Sequence, residues 1–257
     1  MRDKSTTLFY ILGSFFIANA LLAEFIGVKI FSLEKWLGFS PVELSFFGES
    51  NLSFHLTAGV LLWPVVFVMT DIINEYFGRR GVRFLSFTAA SLIVYAFLMI
   101  YLSMGLTPAD FWMERETSFG IVNMDAAFNT IFGQGLWIIF GSLVAFLIGQ
   151  LVDVMVFHYL RSFTGSSKIW LRATGSTLVS QFIDSFVVLF IAFYFGAGWD
   201  ISLVLAIGVV NYIYKFIVAV LLTPTLYVLH FFIELYLGKE LAEKLVEEAA
   251  KSSRIGS

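Results

Sequence analysis

An all-α, polytopic membrane protein of six transmembrane helices packed in a bundle is the fold this sequence predicts. Three observations predict it. The chain is 59% hydrophobic, with a mean hydropathy of +0.86. Only 14% of its residues are charged, where a soluble domain carries about 25%. The apolar residues gather into successive runs of about 20, the length that crosses a bilayer as a helix.

The first run spans Leu8 to Phe31 and the second His55 to Phe77. The third covers Phe84 to Gly105, the fourth Leu136 to Leu160 and the fifth Trp170 to Phe195. The sixth, Ile201 to Leu237, is long for one crossing and contains Pro224, whose ring removes a helix hydrogen bond. Arg2 and Lys4 precede a first run that continues too long for a cleaved signal sequence, so this span is expected to be retained. Ser32 to Phe54, with Pro41, Gly48 and Asn51 among short apolar pieces, reads as an interfacial hairpin. Leu106 to Asn123 is polar and acidic, and Ala126 to Gly135 reads as a short half-helix dipping into the membrane. Residues 1–238 thus form the transmembrane domain. Residues 239–257 form a charged cytoplasmic helix, KELAEKLVEEAAK, with a frayed SSRIGS tail.

Basic residues orient the chain. With six spans, one side holds Arg2, Lys4, Arg79, Arg80, Arg83, Arg161, Lys168, Arg172, Lys239, Lys244, Lys251 and Arg254. The other holds Lys35 and Arg115. Both termini are therefore expected in the cytoplasm, with the protein in the inner membrane.

Several function classes drop out. There is no cysteine, so no disulfide and no Cys-based metal site. His55, His158 and His230 show no metal-ligand clustering. No basic face suits a nucleic acid. His-Glu-x-x-His, P-loop and Gly-x-Ser-x-Gly patterns are missing, so an enzyme is not expected and no cofactor is called for.

The informative residues are the polar ones inside apolar runs. The stretch GVLLWPVVFVMTDIINEYFGRRGVR begins as a spanning helix and ends with Asp71, Asn74 and Glu75 on one face before Gly78. Later runs contain GSLVAFLIGQLVD and GSTLVSQFID, each closing on Gln-x-x-Asp: Gln150 with Asp153, and Gln181 with Asp184. Each pair shares a helix face. The two phrases are a faint internal repeat or a chance match, since their inner spacing differs. Asn211 and Lys215 share a face of the sixth run, and Asn19 and Glu24 lie in the first. Ionisable groups inside a membrane face a protein interior or a water-filled cavity and default to function. The plainer alternative is that each acid pairs with a base to hold helices together, Lys215 with Asp184 or Asp153 being such a pair.

Such a lining suits a flat, polar heterocycle. A carboxylate accepts two parallel N–H bonds, as it does from guanidinium, and the guanine edge offers the same fork in its N1–H and 2-amino group. Gln, Asn or Lys can donate to the neighbouring carbonyl. A proton relay or an amine transporter would use the same residue types.

Four stretches resemble the queuosine-precursor transporter family, also called the vitamin uptake transporter family. They are TAGVLLWPVVFVMTDIINEYFG, GSLVAFLIGQLVDVMVFHYLR, WLRATGSTLVSQFIDSFVVLFIAF and NYIYKFIVAVLLTPTLY, in this order. The resemblance covers the chain from the first span to the sixth. It implies import of 7-cyano-7-deazaguanine, 7-aminomethyl-7-deazaguanine or queuine, precursors of a modified tRNA base. It also implies a six-helix architecture like that of the substrate-binding subunits of energy-coupling-factor vitamin importers. Carried over by motif, the substrate-binding residues are Asp71, Asn74, Glu75, Gln150, Asp153, Gln181, Asp184, Asn211 and Lys215, with Ser180 beside them. The partners expected are a small nucleobase and membrane lipid. A second copy of the chain and an ATPase both stay open, the latter needing a small-residue docking face such as Gly13, Ala20 and Ala23 would make.

Overall fold

The computed structural model describes residues 3–118, 120–133, 136–164 and 168–254. Helix α1 (Lys4–Ile26) starts on Asp3, whose carboxylate accepts from the Ser5 amide and hydroxyl, as an N-cap should. The Ser5 hydroxyl, and then its amide, hold the Asp3 carboxyl below its ordinary range. Gly27 ends α1 short of the predicted Phe31. The chain turns there into β1 (Ile30–Ser32), which pairs antiparallel with β4 (His55–Thr57). His55 therefore belongs to a strand and not to the second spanning helix. Between these strands lie α2 (Leu33–Trp36) and the hairpin of β2 (Leu44–Phe46) with β3 (Glu49–Leu52). Its Phe47-Gly48 tip has φ of 53 and 88°, the left-handed pair that a two-residue hairpin needs.

After a 3-10 turn at Ala58–Leu61, α3 (Trp63–Met104) opens with Pro64 in its first turn, where its missing N–H costs nothing. Its 42 residues would span about 63 Å as one straight rod, roughly two bilayer cores. It is not straight. Gly78 sits at φ 66 and ψ −171, a region open essentially to glycine alone. Phe9, near the start of α1, stacks on both Phe77 and Phe84. At the far end of α1, Gly59 packs against the Ala23 backbone and Phe97 against Phe25. Both ends of α3 thus lie beside the end of α1, and the helix doubles back after Gly78.

A 3-10 turn (Asp110–Trp112), a hairpin of β5 (Glu114–Thr117) with β6 (Gly120–Asn123), and α4 (Met124–Phe132) follow. Asn123 caps α4 by accepting from the Ala126 amide at 2.9 Å. Gln134 and Gly135, the end of the expected half-helix, lie outside the described residues. Helix α5 (Leu136–Thr164) runs antiparallel to α6 (Ile169–Leu189): Gly141 meets Val188, Gly149 meets Asp184, and Leu160 meets Gly175. Helix α6 widens into a π-helical segment at Phe190–Phe195. Helix α7 (Ile201–Leu237) passes through Pro224 as one helix and packs antiparallel on α6 through Phe186 with Gly208 and Thr174 with Thr223.

Gly238 at φ 87 ends α7, and α8 (Lys239–Arg254) folds back onto the bundle, burying Ala242 and Ala249. It reaches Arg254, so part of the expected frayed tail is helical; residues 255–257 lie outside the described residues. Arg2, counted with the basic end, lies outside them too.

Among the described residues, five helices are long and apolar enough to cross a membrane, the doubled-back α3 counting once. The core joins Phe16, Val66, Ile72, Ile73, Phe146 and Phe157. Tyr95, Leu98, Leu221 and Phe231 lie exposed on the outside of the bundle. Helices that close their own backbone hydrogen bonds and present apolar side chains outward are what a bilayer accepts. This is a multi-pass membrane protein.

Candidate functional site

The predicted site residues fall into two groups at different depths. The first lies inside the bundle toward the end that carries Lys4, Gly78 and α8. Glu75, on α3, is held by two arginines. Arg172 of α6 donates from Nη2 to Oε1 at 2.6 Å and from Nε to Oε2 at 3.2 Å. Arg161 of α5 brings Nη1 to 3.5 Å of Oε2 and donates from Nη2 to the Val246 carbonyl of α8 at 2.9 Å. The Arg172 guanidinium also lies over the Phe157 ring, 5.6 Å from its centre. Asn74 and His158 meet at 2.8 Å, as do Tyr76 and His230. One turn of α3 is thereby tied to α5, α6, α7 and α8.

Arg161 and Arg172 differ from their expected setting. They count as loop cations in the sequence, yet Arg172 is 1% exposed and lies in the first turn of α6. The helix begins at Ile169 and turns that side chain inward to Glu75. Glu75 thus has the base partners that the pairing alternative calls for.

Deeper in the same group, Asp71 and Asp153 have no salt-bridge partner among the described residues. Asp71 accepts from the Thr177 hydroxyl at 3.2 Å and Asp153 from the Ser180 hydroxyl at 3.2 Å. Gln150 accepts from Thr70 at 3.0 Å. One atom in each of several buried side chains finds no hydrogen-bond partner among the described residues: Asp71 Oδ1, Asp153 Oδ2, Asn74 Nδ2, Gln150 Nε2 and Gln181 Nε2. Buried polar groups are nearly always paired, so such orphans mark a place where something else binds or moves.

The second group lines a cavity of about 320 Å³ at the opposite end, among the end of α1, the β4 segment, α5, α6 and α7. Glu24, Asp184, Asn211 and Lys215 face it, with Ser142 and Ser185 between them and Trp63, Phe193 and Trp199 as aromatic walls. Lys215 Nζ lies 2.5 Å from Asp184 Oδ2, and the Ser142 hydroxyl donates to Glu24. A narrower cleft of about 30 Å³ lies beside it, lined by Asp71, Thr177 and Gln181. Val60, Trp63 and Lys215 line both spaces. Mostly apolar walls with a few convergent polar groups are the usual form of a small-molecule site.

A family described as "Putative vitamin uptake transporter" matches residues 57–229 of this chain. The chain belongs to the vitamin uptake transporter family. The match runs from the end of β4 into α7, so it contains every site residue named above except Glu24, His230 and Val246. A "Probable queuosine precursor transporter" of Bacillus subtilis is 30% identical over 237 residues, covering 88% of this chain and 94% of that protein. The "Queuosine precursor transporter" of Escherichia coli is 29% identical over 216 residues, covering 79% and 84% of the two chains. No solved structure matches this chain. This vitamin uptake transporter family member is a transporter and not an enzyme.

Sequence reasoning did not single out Arg161, Arg172, His158, Tyr76, His230 or Thr177 for the interior. A signal existed only for the hydroxyls: Ser176, Thr177 and Ser180 share one face of α6 by their three- and four-residue spacing. Nothing local distinguishes Arg172 from a cation at the end of a loop.

Proposed function

We propose that this chain imports queuosine precursors (7-cyano-7-deazaguanine, 7-aminomethyl-7-deazaguanine or queuine) across the inner membrane for tRNA modification. The observation that carries this reading is the cavity that gathers Glu24, Asp184, Asn211 and Lys215 between aromatic walls, in a chain whose relatives bear that substrate in their names. Glu24 or Asp184 accepts the fork of N1–H and 2-amino group. Asn211 and Lys215 donate to the ring carbonyl. Trp63 and Trp199 flank the planar ring, which has a π-face to offer each. Asp71 and Gln181, in the adjoining cleft, are the next polar groups the base meets on its way inward. Glu75, Asn74, Gln150 and Asp153 line neither space and serve the interior instead.

The reversal of α3 after Gly78 supports six crossings, with each arm of α3 counted as one. The basic residues at the turn of α3, in α8 and at the start of α1 favour cytoplasmic termini, with the cavity opening away from that side. The small residues of α1 bear on the ATPase-dependent alternative. Gly13 packs on Leu85, while Ala20 and Ala23 are 0% and 1% exposed, so these three do not form a docking face; Ser14 and Ala18, four residues apart, are the small residues exposed on that helix.

The test is restored queuosine in tRNA, with radiolabelled precursor uptake, in cells lacking both precursor synthesis and import. The chain is expected to restore both. Failure of the well-expressed protein to take up any of the three bases ends this reading. Uptake by the purified protein in liposomes without ATP separates it from the energy-coupling-factor alternative.

A further inference from the structure

We propose that Asp71 and Asp153 form a proton-binding site, two carboxyls of which one carries a proton, that couples import to the proton gradient. This rests on the transporter reading above and adds its driving force.

The two side chains come from different helices, α3 and α5, and are 3% and 0% exposed. They face the same hydroxyl stripe on α6. Thr177 bonds Asp71, Ser180 bonds Asp153, and Ser176 and Thr177 lie within reach of both carboxyls. Most charged or titratable groups packed around them are occupied elsewhere. On α3, Glu75 is taken by Arg172 and Arg161. On α5, His158 bonds Asn74. On α6 and α7, Asp184 and Lys215 hold each other, and His230 bonds Tyr76. Arg79, at the turn of α3, forms no salt bridge among the described residues, and its Nε has no partner there.

Two buried carboxylates without a counter-ion are not stable as a doubly charged pair. Burying one unpaired charge is already prohibitive, and the group neutralises instead. Two like charges sharing a site repel, so one keeps its proton. The atoms for it are present: among the described residues, Asp71 Oδ1 and Asp153 Oδ2 are the buried carboxylate oxygens with no partner. Gln181, 4% exposed with Nε2 unpartnered, lines the same cleft as Asp71.

The site is reached from the cavity. Lys215 and Trp63 line both the cavity and the cleft, and Asp71 lines the cleft, so the two spaces share a wall. In one cycle a proton from water forms an O–H bond at Asp71 Oδ1 or Asp153 Oδ2. That bond breaks when the interior opens to the cytoplasm, and the proton leaves to water there. Nothing is oxidised or reduced.

Two measurements on the full chain in lipid test this. The first needs no substrate: infrared difference spectra of the purified protein between acid and alkaline buffer. The wild type is expected to show the carbonyl band of a buried carboxylic acid, and Asp71→Asn and Asp153→Asn are each expected to remove or shift it. Its persistence unchanged in both variants, or its absence from the wild type, overturns the proposal whatever the substrate is. The second is accumulation of radiolabelled 7-cyano-7-deazaguanine in liposomes with the membrane potential clamped. An inside-alkaline step of about one pH unit is expected to concentrate the base about tenfold if one proton accompanies each molecule. A protonophore is expected to abolish this, and D153N to lose it while keeping the wild-type unfolding temperature. Uptake that ignores the gradient and the protonophore overturns the coupling while leaving the transporter reading intact. An infrared band lost in both variants, with no uptake of the base, leaves the proton site and removes that substrate.

Discussion

Arg172 forks Glu75 through two hydrogen bonds, at 2.6 and 3.2 Å, although the two residues lie 97 positions apart. Both side chains are almost wholly buried, so the pair is a lock between α3 and α6. The attraction repays two desolvations only because the fork is bidentate and Arg161 adds a second cation.

Breaking this pair by Arg172→Ala or Glu75→Ala is expected to cost about 3–5 kcal/mol, because one charge stays buried and unpaired. The double change Glu75→Leu with Arg172→Met is expected to recover most of that loss. Thermal unfolding in detergent reads both. A single variant as stable as the wild type would show the pair to be loosely held.

Opening Lys215 acts on the cavity. Lys215→Met leaves Asp184 without its cation, and Asp184→Ala does the reverse. Each is expected to weaken substrate binding by tens to thousands of fold, the equivalent of about 2–5 kcal/mol. Ligand-induced thermal stabilisation measures it. Equal affinity in both variants would move the substrate away from this wall.

Glu24 makes a sharper comparison. Glu24→Gln keeps the shape and the Ser142 contact but removes the charge that accepts an N–H fork. It is expected to lose affinity for 2-amino purine-like bases while binding analogues without the 2-amino group no worse. Parallel losses for both ligand types would assign the fork to Asp184.

Gly78 is the only residue inside α3 with non-helical angles. Gly78→Ala is expected to cost about 1–3 kcal/mol, since a Cβ is disfavoured at positive φ with extended ψ. A neutral result in thermal unfolding would mean that the reversal of α3 is not built on that residue.

Gly208 sets how closely α6 and α7 approach. A Cβ there would sit 2.5 Å from Phe186 Cε1, so Gly208→Ala is expected to cost about 1–3 kcal/mol by overpacking. Phe186→Leu in the same chain is expected to return part of it. Absence of rescue would put the strain elsewhere.

Much of the helical layout is legible in the sequence, and the departures have causes that are not local. His55 to Thr57 reads as the start of a spanning helix because its neighbours are apolar, but β1 offers it a partner strand. The Gln-x-x-Asp phrases look alike, yet Gln150 and Asp153 turn into the closed interior while Asp184 opens onto the cavity. Helical spacing says which residues share a face. It does not say what that face meets.

What the sequence determined alone is partition: long apolar runs leave water, glycine at Gly78 lets α3 turn, and acids within those runs must point inward. What only the tertiary structure decided is which acid meets which base. Glu75 takes Arg172 and Arg161, Asp184 takes Lys215, and Asp71 and Asp153 are left with hydroxyls alone. Those choices rest on contacts between helices distant in the chain, where position in space and not spacing along the backbone sets the electrostatic energy.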